Sequence, residues 1–124
     1  MARVLLVEDD IHLRLVTRLV LEQGGHVVDE SPDALQALRH LRHERPIKTE
    51  VIVADMRMPE MNGLEFVAEL RTHDRLSPIP VILLTGDVDA RDNAPPEVSV
   101  VIKPFEPSQL LEQIIQLTAA TDTN

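Results

Sequence analysis

The run Val51-Ile52-Val53-Ala54-Asp55 constrains this chain more than any other stretch. Its residues are apolar on both alternations and then stop at a carboxylate. A strand apolar on both faces has to be covered on both, a condition met inside parallel sheets. Met56 to Gly63 follows, a loop marked by Pro59, Asn62 and Gly63, and then a helical pattern carried by Leu64, Phe66, Val67 and Leu70. Asp55 is therefore expected at the carboxyl end of a central strand, where open α/β sheets place their ligands.

The same alternation runs through the whole chain. Val4–Val7 reads as a buried strand, followed at once by Glu8-Asp9-Asp10, with Asp10 as the cap of a first helix. In that helix Ile11, Leu15 and Leu19 form one row with Val16 and Val20 beside it. Arg14, Arg18 and Glu22 fall on the opposite face, so the apolar row is expected to be buried. Gly24-Gly25 ends the helix. Val27-Val28 is a second strand, and Ser31-Pro32 reads as an N-cap and first helical position. Ala34, Leu35, Leu38 and Leu41 then form the buried stripe of a second helix, closed off by Pro46. Val81–Leu84 is a fourth strand leading to Thr85-Gly86-Asp87, and Val98–Ile102 a fifth, stopped by Lys103-Pro104. Pro107-Ser108 opens a last helix with Leu110, Leu111, Ile114, Ile115 and Leu117. Between strands four and five, Val88–Glu97 is polar, holds Pro95-Pro96 and leaves room only for a short helix. Strands alternating with helices imply right-handed βαβ units and a parallel sheet covered on both faces.

Composition removes several classes of function. The 124 residues suit one domain, and with only Phe66 and Phe105 as aromatics the core is aliphatic. The absence of Cys excludes disulfides, thiolate metal sites and cysteine nucleophiles. A net charge of −9 argues against direct contact with nucleic acid, whose phosphates need a basic footprint. No apolar run approaches a membrane span or a signal-peptide core, so a cytoplasmic location is expected. His12, His26, His40, His43 and His73 show no paired metal spacing with acidic partners.

What the strand ends bring together is chemically specific: Glu8 and Asp9 after strand one, Asp55 after strand three, Thr85 after strand four and Lys103 after strand five. Each taken singly has a bland explanation, as a cap, a turn or a surface loop. Three carboxylates in one crevice, however, repel by about 4 kcal/mol per pair at roughly 4 Å and an effective dielectric near 20. Lys103 and a hard divalent cation are the two candidates to offset this. Mg²⁺ fits best, because it takes oxygen ligands and needs only one or two carboxylates. A carboxylate beside a cation, an ammonium and a hydroxyl is also suited to phosphoryl transfer, with the carboxylate as nucleophile.

On these motifs, Val4-Leu5-Leu6-Val7-Glu8-Asp9, Asp55-Met56-Arg57-Met58-Pro59 with Gly63 eight residues after Asp55, Leu84-Thr85-Gly86 and Lys103-Pro104-Phe105, the chain resembles the receiver domains of two-component response regulators. The resemblance extends from the first strand to the last helix. It implies a flavodoxin-like, doubly wound sheet of order 2-1-3-4-5, a receiver over residues 1–117 and a flexible tail over 118–124. It implies that Asp55 accepts a phosphoryl group from a sensor histidine kinase or a histidine phosphotransfer protein. Glu8, Asp9, Asp55 and the Arg57 backbone carbonyl would then hold Mg²⁺, with Asp9 the direct ligand of the acidic pair and Glu8 acting through water. Thr85 would supply a switch hydroxyl and Lys103 an ammonium for the phosphoryl group, next to a Lys-Pro bond that is often cis in the family. Such a chain catalyses its own phosphorylation and slow dephosphorylation, but is primarily a switch acting on an output protein.

Two departures bear on that implication. Where the family carries an aromatic residue three before the lysine, this chain has Val100, which has no ring to rotate. Thr85 and Lys103 are only 18 positions apart, so the fourth helix is expected to be short, distorted or absent. Arg57 and Asp87, two after Asp55 and two after Thr85, are positioned to tune the lifetime of a phosphoryl group, as an ion pair across the mouth of the site. A receiver-like interaction module that works without phosphorylation is the alternative function. A haloacid-dehalogenase-like phosphatase would want Asp where Arg57 stands. A flavin-binding flavodoxin would meet repulsion between its phosphate and Glu8-Asp9-Asp10.

Overall fold

Strand and helix alternate along the entire chain. The computed structural model describes residues 1–122, with the elements β1 (Arg3–Val7), α1 (Ile11–Gln23), β2 (Val27–Ser31), α2 (Ala34–His43), β3 (Val51–Asp55), α3 (Gly63–Arg71), β4 (Val81–Thr85), α4 (Ala90–Asn93), β5 (Ser99–Ile102) and α5 (Pro107–Asp122). All four strand pairings are parallel and the order is β2-β1-β3-β4-β5, the flavodoxin-like order expected. β3 sits in the middle, buried at every position.

Side-chain alternation sends consecutive strand residues to opposite faces, and each face has its own core. Leu5, Ile52, Ala54 and Leu83 pack against Leu38 and Leu41 of α2 and Phe66 and Leu70 of α3. Val4, Leu6, Val53 and Ile82 pack against Leu21 of α1 and Leu110 and Ile114 of α5. Among the described residues no helix is long and apolar enough to cross a membrane.

Helix α4 is a single turn of four residues, as the spacing and Pro95-Pro96 predict. The domain boundary expected at Leu117 falls within α5. Thr118 is buried there, and its Oγ1 donates to the Ile114 carbonyl at 2.8 Å. Of the expected tail, residues 123 and 124 lie outside the described residues.

Two local expectations are corrected. Helix α2 is capped by Asp33, whose carboxylate accepts from the Gln36 N–H at 2.8 Å, and not by Ser31. Ser31 is consumed by β2: it pairs with Val7, is buried, and its carbonyl accepts from the Glu8 N–H. Leu35 accordingly faces solvent, while Ala37 takes its place in the buried stripe.

The larger correction concerns α1. The row Ile11, Leu15, Leu19, with Val16, points outward; these residues are 65, 48, 48 and 58% exposed, whereas Thr17 and Leu21 face the sheet. The helix is rotated by its polar side. Arg14 Nη1 donates to the Glu8 carbonyl at 2.8 Å, and both Arg14 and Arg18 pair with Glu30 on β2. These contacts turn the arginine row toward the sheet edge and the apolar row into solvent.

Gly63 closes the loop that follows Asp55, donating its N–H to the Met56 carbonyl at 2.8 Å. A Cβ at this position would lie 3.0 Å from Met56 Cα and 3.1 Å from the Asp55 carbonyl oxygen, backbone atoms that cannot rotate aside. Replacing a helical glycine by alanine ordinarily stabilises by about 0.5–1 kcal/mol. Here Gly63→Ala is expected to destabilise by about 1–3 kcal/mol, because overpacking outweighs that gain. Urea unfolding measures the difference, and a neutral or stabilised variant would contradict the packing argument.

Candidate functional site

Asp55 and Thr85 are the last paired residues of β3 and β4, Glu8 and Lys103 stand one step beyond the pairing of β1 and β5, and the sheet's hydrogen-bond ladder continues past them. The Glu8 N–H donates to Ser31 O at 3.1 Å, Met56 N–H to Leu84 O at 2.8 Å and Lys103 N–H to Thr85 O at 2.7 Å. The backbone on either side of Asp55 is therefore tied to neighbouring strands before any side chain contributes.

Carboxylate oxygens of Glu8, Asp9 and Asp55 come within 4.8 Å of one another. Glu8 and Asp55 are buried and Asp9 is exposed, so the cluster is sealed below and open above. Lys103 Nζ donates to Asp55 Oδ1 at 2.8 Å and lies 3.9 Å from Glu8 Oε1. The Lys103–Pro104 bond is cis. Thr85 is buried at the end of β4, and its Oγ1 accepts from the Asp87 N–H at 3.1 Å. Asp55, Arg57, Thr85, Asp87 and Lys103 share a cavity of about 460 Å³. Asp9 and Arg57 also line a neighbouring cavity of about 520 Å³, on the side of Met58 and Pro59. Every residue expected at the strand ends is thus brought to one edge.

The loop after Asp55 is fixed from within. Asn62 and Glu65 form a reciprocal capping box at the start of α3, and Met58 is buried. Arg57 and Asp87 flank the opening without an ion pair between them, and Asp87 Oδ1 accepts instead from the Asp89 N–H. Val100 is half-buried, and its carbonyl accepts from Arg91 Nε at 3.3 Å.

Sequence reasoning missed Arg14. Its bond to the Glu8 carbonyl anchors the turn that presents Glu8 and Asp9. Helical periodicity put it on the solvent side, and nothing in the sequence reports a backbone acceptor six residues away.

Burial pushes the Glu8 carboxyl up to about 7. The Asp10 N–H pulls it down, the Asp55 charge pushes it up and Lys103 pulls it down again. Three carboxylates with one ammonium leave the edge short of positive charge, a donor set of oxygens that fits a hard divalent cation.

A model of the response regulator receiver domain matches residues 4–115. The chain is 31% identical over 121 residues to an uncharacterized 14.6 kDa protein of Leptolyngbya boryana, covering 94% of this chain and 90% of that one. It is 29% identical to the chemotaxis protein CheY1 of Helicobacter pylori, covering 97% and 99%. It is also 29% identical to the phosphate regulon transcriptional regulatory protein PhoB of Escherichia coli, of which it spans 49%. Among solved structures, the chemotaxis response regulator CheY4 of Vibrio cholerae superposes with a TM-score of 0.82 at 29% identity, covering 94% and 98%. The receiver domain of the sensor histidine kinase PA1611 of Pseudomonas aeruginosa, which holds a magnesium ion in its active site cleft, gives 0.83 at 25% identity, covering 95% and 98%.

The fold and the acidic edge thus define a signalling receiver of the two-component class. The chain belongs to the response regulator receiver domain family.

The raised Glu8 value sets a pH dependence. Because the folded value lies above the ordinary 4.5, the protonated form stabilises the fold below about 4.5, and that contribution is lost as pH rises through about 7. Without divalent cations, the Glu8 contribution to the unfolding free energy is expected to fall over this window by on the order of 3 kcal/mol. His26, which burial holds below its ordinary value, acts in the opposite sense. Glu8→Gln should flatten the profile. Urea titrations across the window check this, and an equally steep profile in the variant would exclude Glu8 as its origin.

Proposed function

We propose that this chain is a phosphorylatable switch in which Asp55 accepts a phosphoryl group from the phosphohistidine of a sensor kinase or phosphotransfer protein. The observation that carries the reading is the convergence of three carboxylates within 4.8 Å beside Lys103. Lys103 holds Asp55 Oδ1, which leaves Oδ2 as the nucleophile. The Oδ2–P bond forms as the P–N bond breaks, and the imidazole leaves with the electron pair. Lys103 then pairs with a phosphoryl oxygen, and the Thr85 hydroxyl donates to another. Mg²⁺, held by Asp9, Asp55 and the Arg57 carbonyl with Glu8 acting through water, would neutralise the charge on the phosphoryl oxygens. Hydrolysis of the acyl phosphate returns Asp55 and releases inorganic phosphate. Arg57 and Asp87 stand where water must enter, and they set the lifetime of the phosphorylated state.

The outward face of α1 suits the donor. Ile11, Leu15, Val16 and Leu19 supply apolar area, and between Leu13, Val16 and Phe105 lies a cavity of about 420 Å³ that Glu8 and Lys103 also line. An amphipathic donor helix laid on this face would bring its histidine to the acidic edge.

Intact mass after incubation with acetyl phosphate tests the chemistry. One adduct is expected that requires Mg²⁺ and is absent in Asp55→Asn, and in Arg57→Ala the adduct should decay severalfold faster. A folded protein that forms no adduct with Mg²⁺ present would favour the alternative function, an interaction module working without phosphorylation. The short α4 and Val100 are the features consistent with that alternative.

Docking is tested separately with Leu15→Asp combined with Leu19→Asp. Both sites are exposed, so stability should change by less than about 1 kcal/mol. Transfer from a phosphorylated kinase is expected to slow by at least about tenfold, a loss near 1.4 kcal/mol, while labelling by acetyl phosphate is unchanged. Equal slowing with both donors would refute a docking role.

A further inference from the structure

A second cluster lies away from the strand ends and plays no part in the phosphoryl chemistry. His40 and Glu44 stand four positions apart at the end of α2, and Asp29 approaches them from β2. His40 Nε2 is 3.1 Å from Glu44 Oε2 and 4.0 Å from Asp29 Oδ2, and one donor atom from each of the three residues lies within 4.8 Å of the others. This pairing overturns the expectation that no histidine has acidic partners at metal spacing. The i,i+4 pair was present in the sequence, but the third member comes from a different element.

We propose that Asp29, His40 and Glu44 form a binding site for a borderline transition-metal ion, with Zn²⁺ as the representative case. Zinc ligands lie at about 2.0–2.1 Å from the metal, so the donors of a tetrahedral site are about 3.3 Å apart. His40 and Glu44 already stand near that spacing, and Asp29, 4.0 Å from His40, would have to move inward to reach it. The ligands are already oriented: Glu44 Oε1 accepts from the Lys48 and Thr49 N–H groups at 2.7 Å each, and Arg3 Nε holds Asp29 Oδ2 at 3.0 Å. Outer bonds of this kind position metal-ligating carboxylates. Burial raises the Glu44 carboxyl, but the Thr49 and Lys48 N–H groups outweigh it and hold the group below its ordinary value. It is thus available as a carboxylate.

Charge balances as well. A divalent ion with two carboxylates and a neutral imidazole is neutral, and Arg3 keeps its outer bond to Asp29 Oδ1. Coordination uses the Nε2 lone pair, so the ring proton resides on Nδ1, and an imidazolium gives up one proton to solvent. Water fills the fourth position. The nitrogen ligand separates this site from the all-oxygen edge at Asp55, which favours Mg²⁺. The bound ion would tie β2 to the end of α2 and to the turn leading into β3.

Calorimetric titration with Zn²⁺ in the presence of excess Mg²⁺ tests the assignment. One ion per chain is expected. His40→Gln and Glu44→Gln should each weaken binding by at least about tenfold, and Asp9→Asn should leave it unchanged. Zn²⁺ should raise the melting temperature of the wild-type chain but not of His40→Gln. His40 is 36% exposed, so its replacement leaves the core intact. No binding by the wild type up to about 100 μM, undiminished binding by His40→Gln, or loss of binding in Asp9→Asn would each overturn the proposal.

Discussion

The ion pair between Lys103 and Asp55 is the interaction on which the site depends. At 2.8 Å, with Glu8 Oε1 a further 3.9 Å away, one ammonium serves two buried carboxylates, and a third carboxylate stands exposed above them. Buried carboxylates left without a partner would cost several kcal/mol. The chain accepts this arrangement because the backbone prevents the groups from separating. Glu8, Met56 and Lys103 are each held to a neighbouring strand by a main-chain hydrogen bond. Repulsion that would scatter three side chains on a flexible loop is here opposed by the pairing of a five-stranded sheet. The deficit of positive charge is therefore a property of the fold.

Much of this was legible in the sequence, for a physical reason. Strands buried on both faces show as unbroken apolar runs, and each run ends where the chain leaves the sheet, so the residue types at the ends can be read directly. That gave Glu8, Asp9, Asp55, Thr85 and Lys103 without any contact information. The shortness of α4 was equally legible from Pro95-Pro96 and the tight spacing. What failed were decisions between two local solutions of similar merit. Ser31 and Asp33 are both good caps, and pairing of Ser31 with Val7 settles the choice. For α1 the amphipathic rule assumes that the apolar side faces inward. The bonds of Arg14 to Glu8 and Glu30 lie outside any helical period, and they set the opposite rotation.

The inverted helix and the acidic edge belong to one arrangement. Arg14 is spent holding the turn that presents Glu8 and Asp9, and Arg18 is spent on Glu30 and Glu22. Since these residues occupy the sheet side, the apolar row must lie outside, next to the chemistry. Exposed apolar side chains in a row on one helix mark an interaction surface more often than isolated ones do. A single rotation of α1 therefore both holds the acidic turn and leaves an exposed apolar row beside it.

On the other side of the site, Val100 offers no aromatic ring, and what leads away from Thr85 is polar. Two polar contacts lead outward from Thr85: its Oγ1 accepts from the Asp87 N–H, and its carbonyl accepts from the Lys103 N–H. The first enters the Gly86–Asp89 turn, where Asp87 Oδ1 in turn accepts from Asp89 N–H just ahead of the four-residue α4. From α4, Arg91 reaches back to the Val100 carbonyl. The position that would hold a rotating ring is thus connected to Thr85 through a chain of hydrogen bonds along an exposed turn. A ring flips between two packed states, whereas a turn of this kind is held by a few bonds open to water. In this receiver the segment from Gly86 to Val100 joins Thr85 to the four-residue α4 through these few hydrogen bonds.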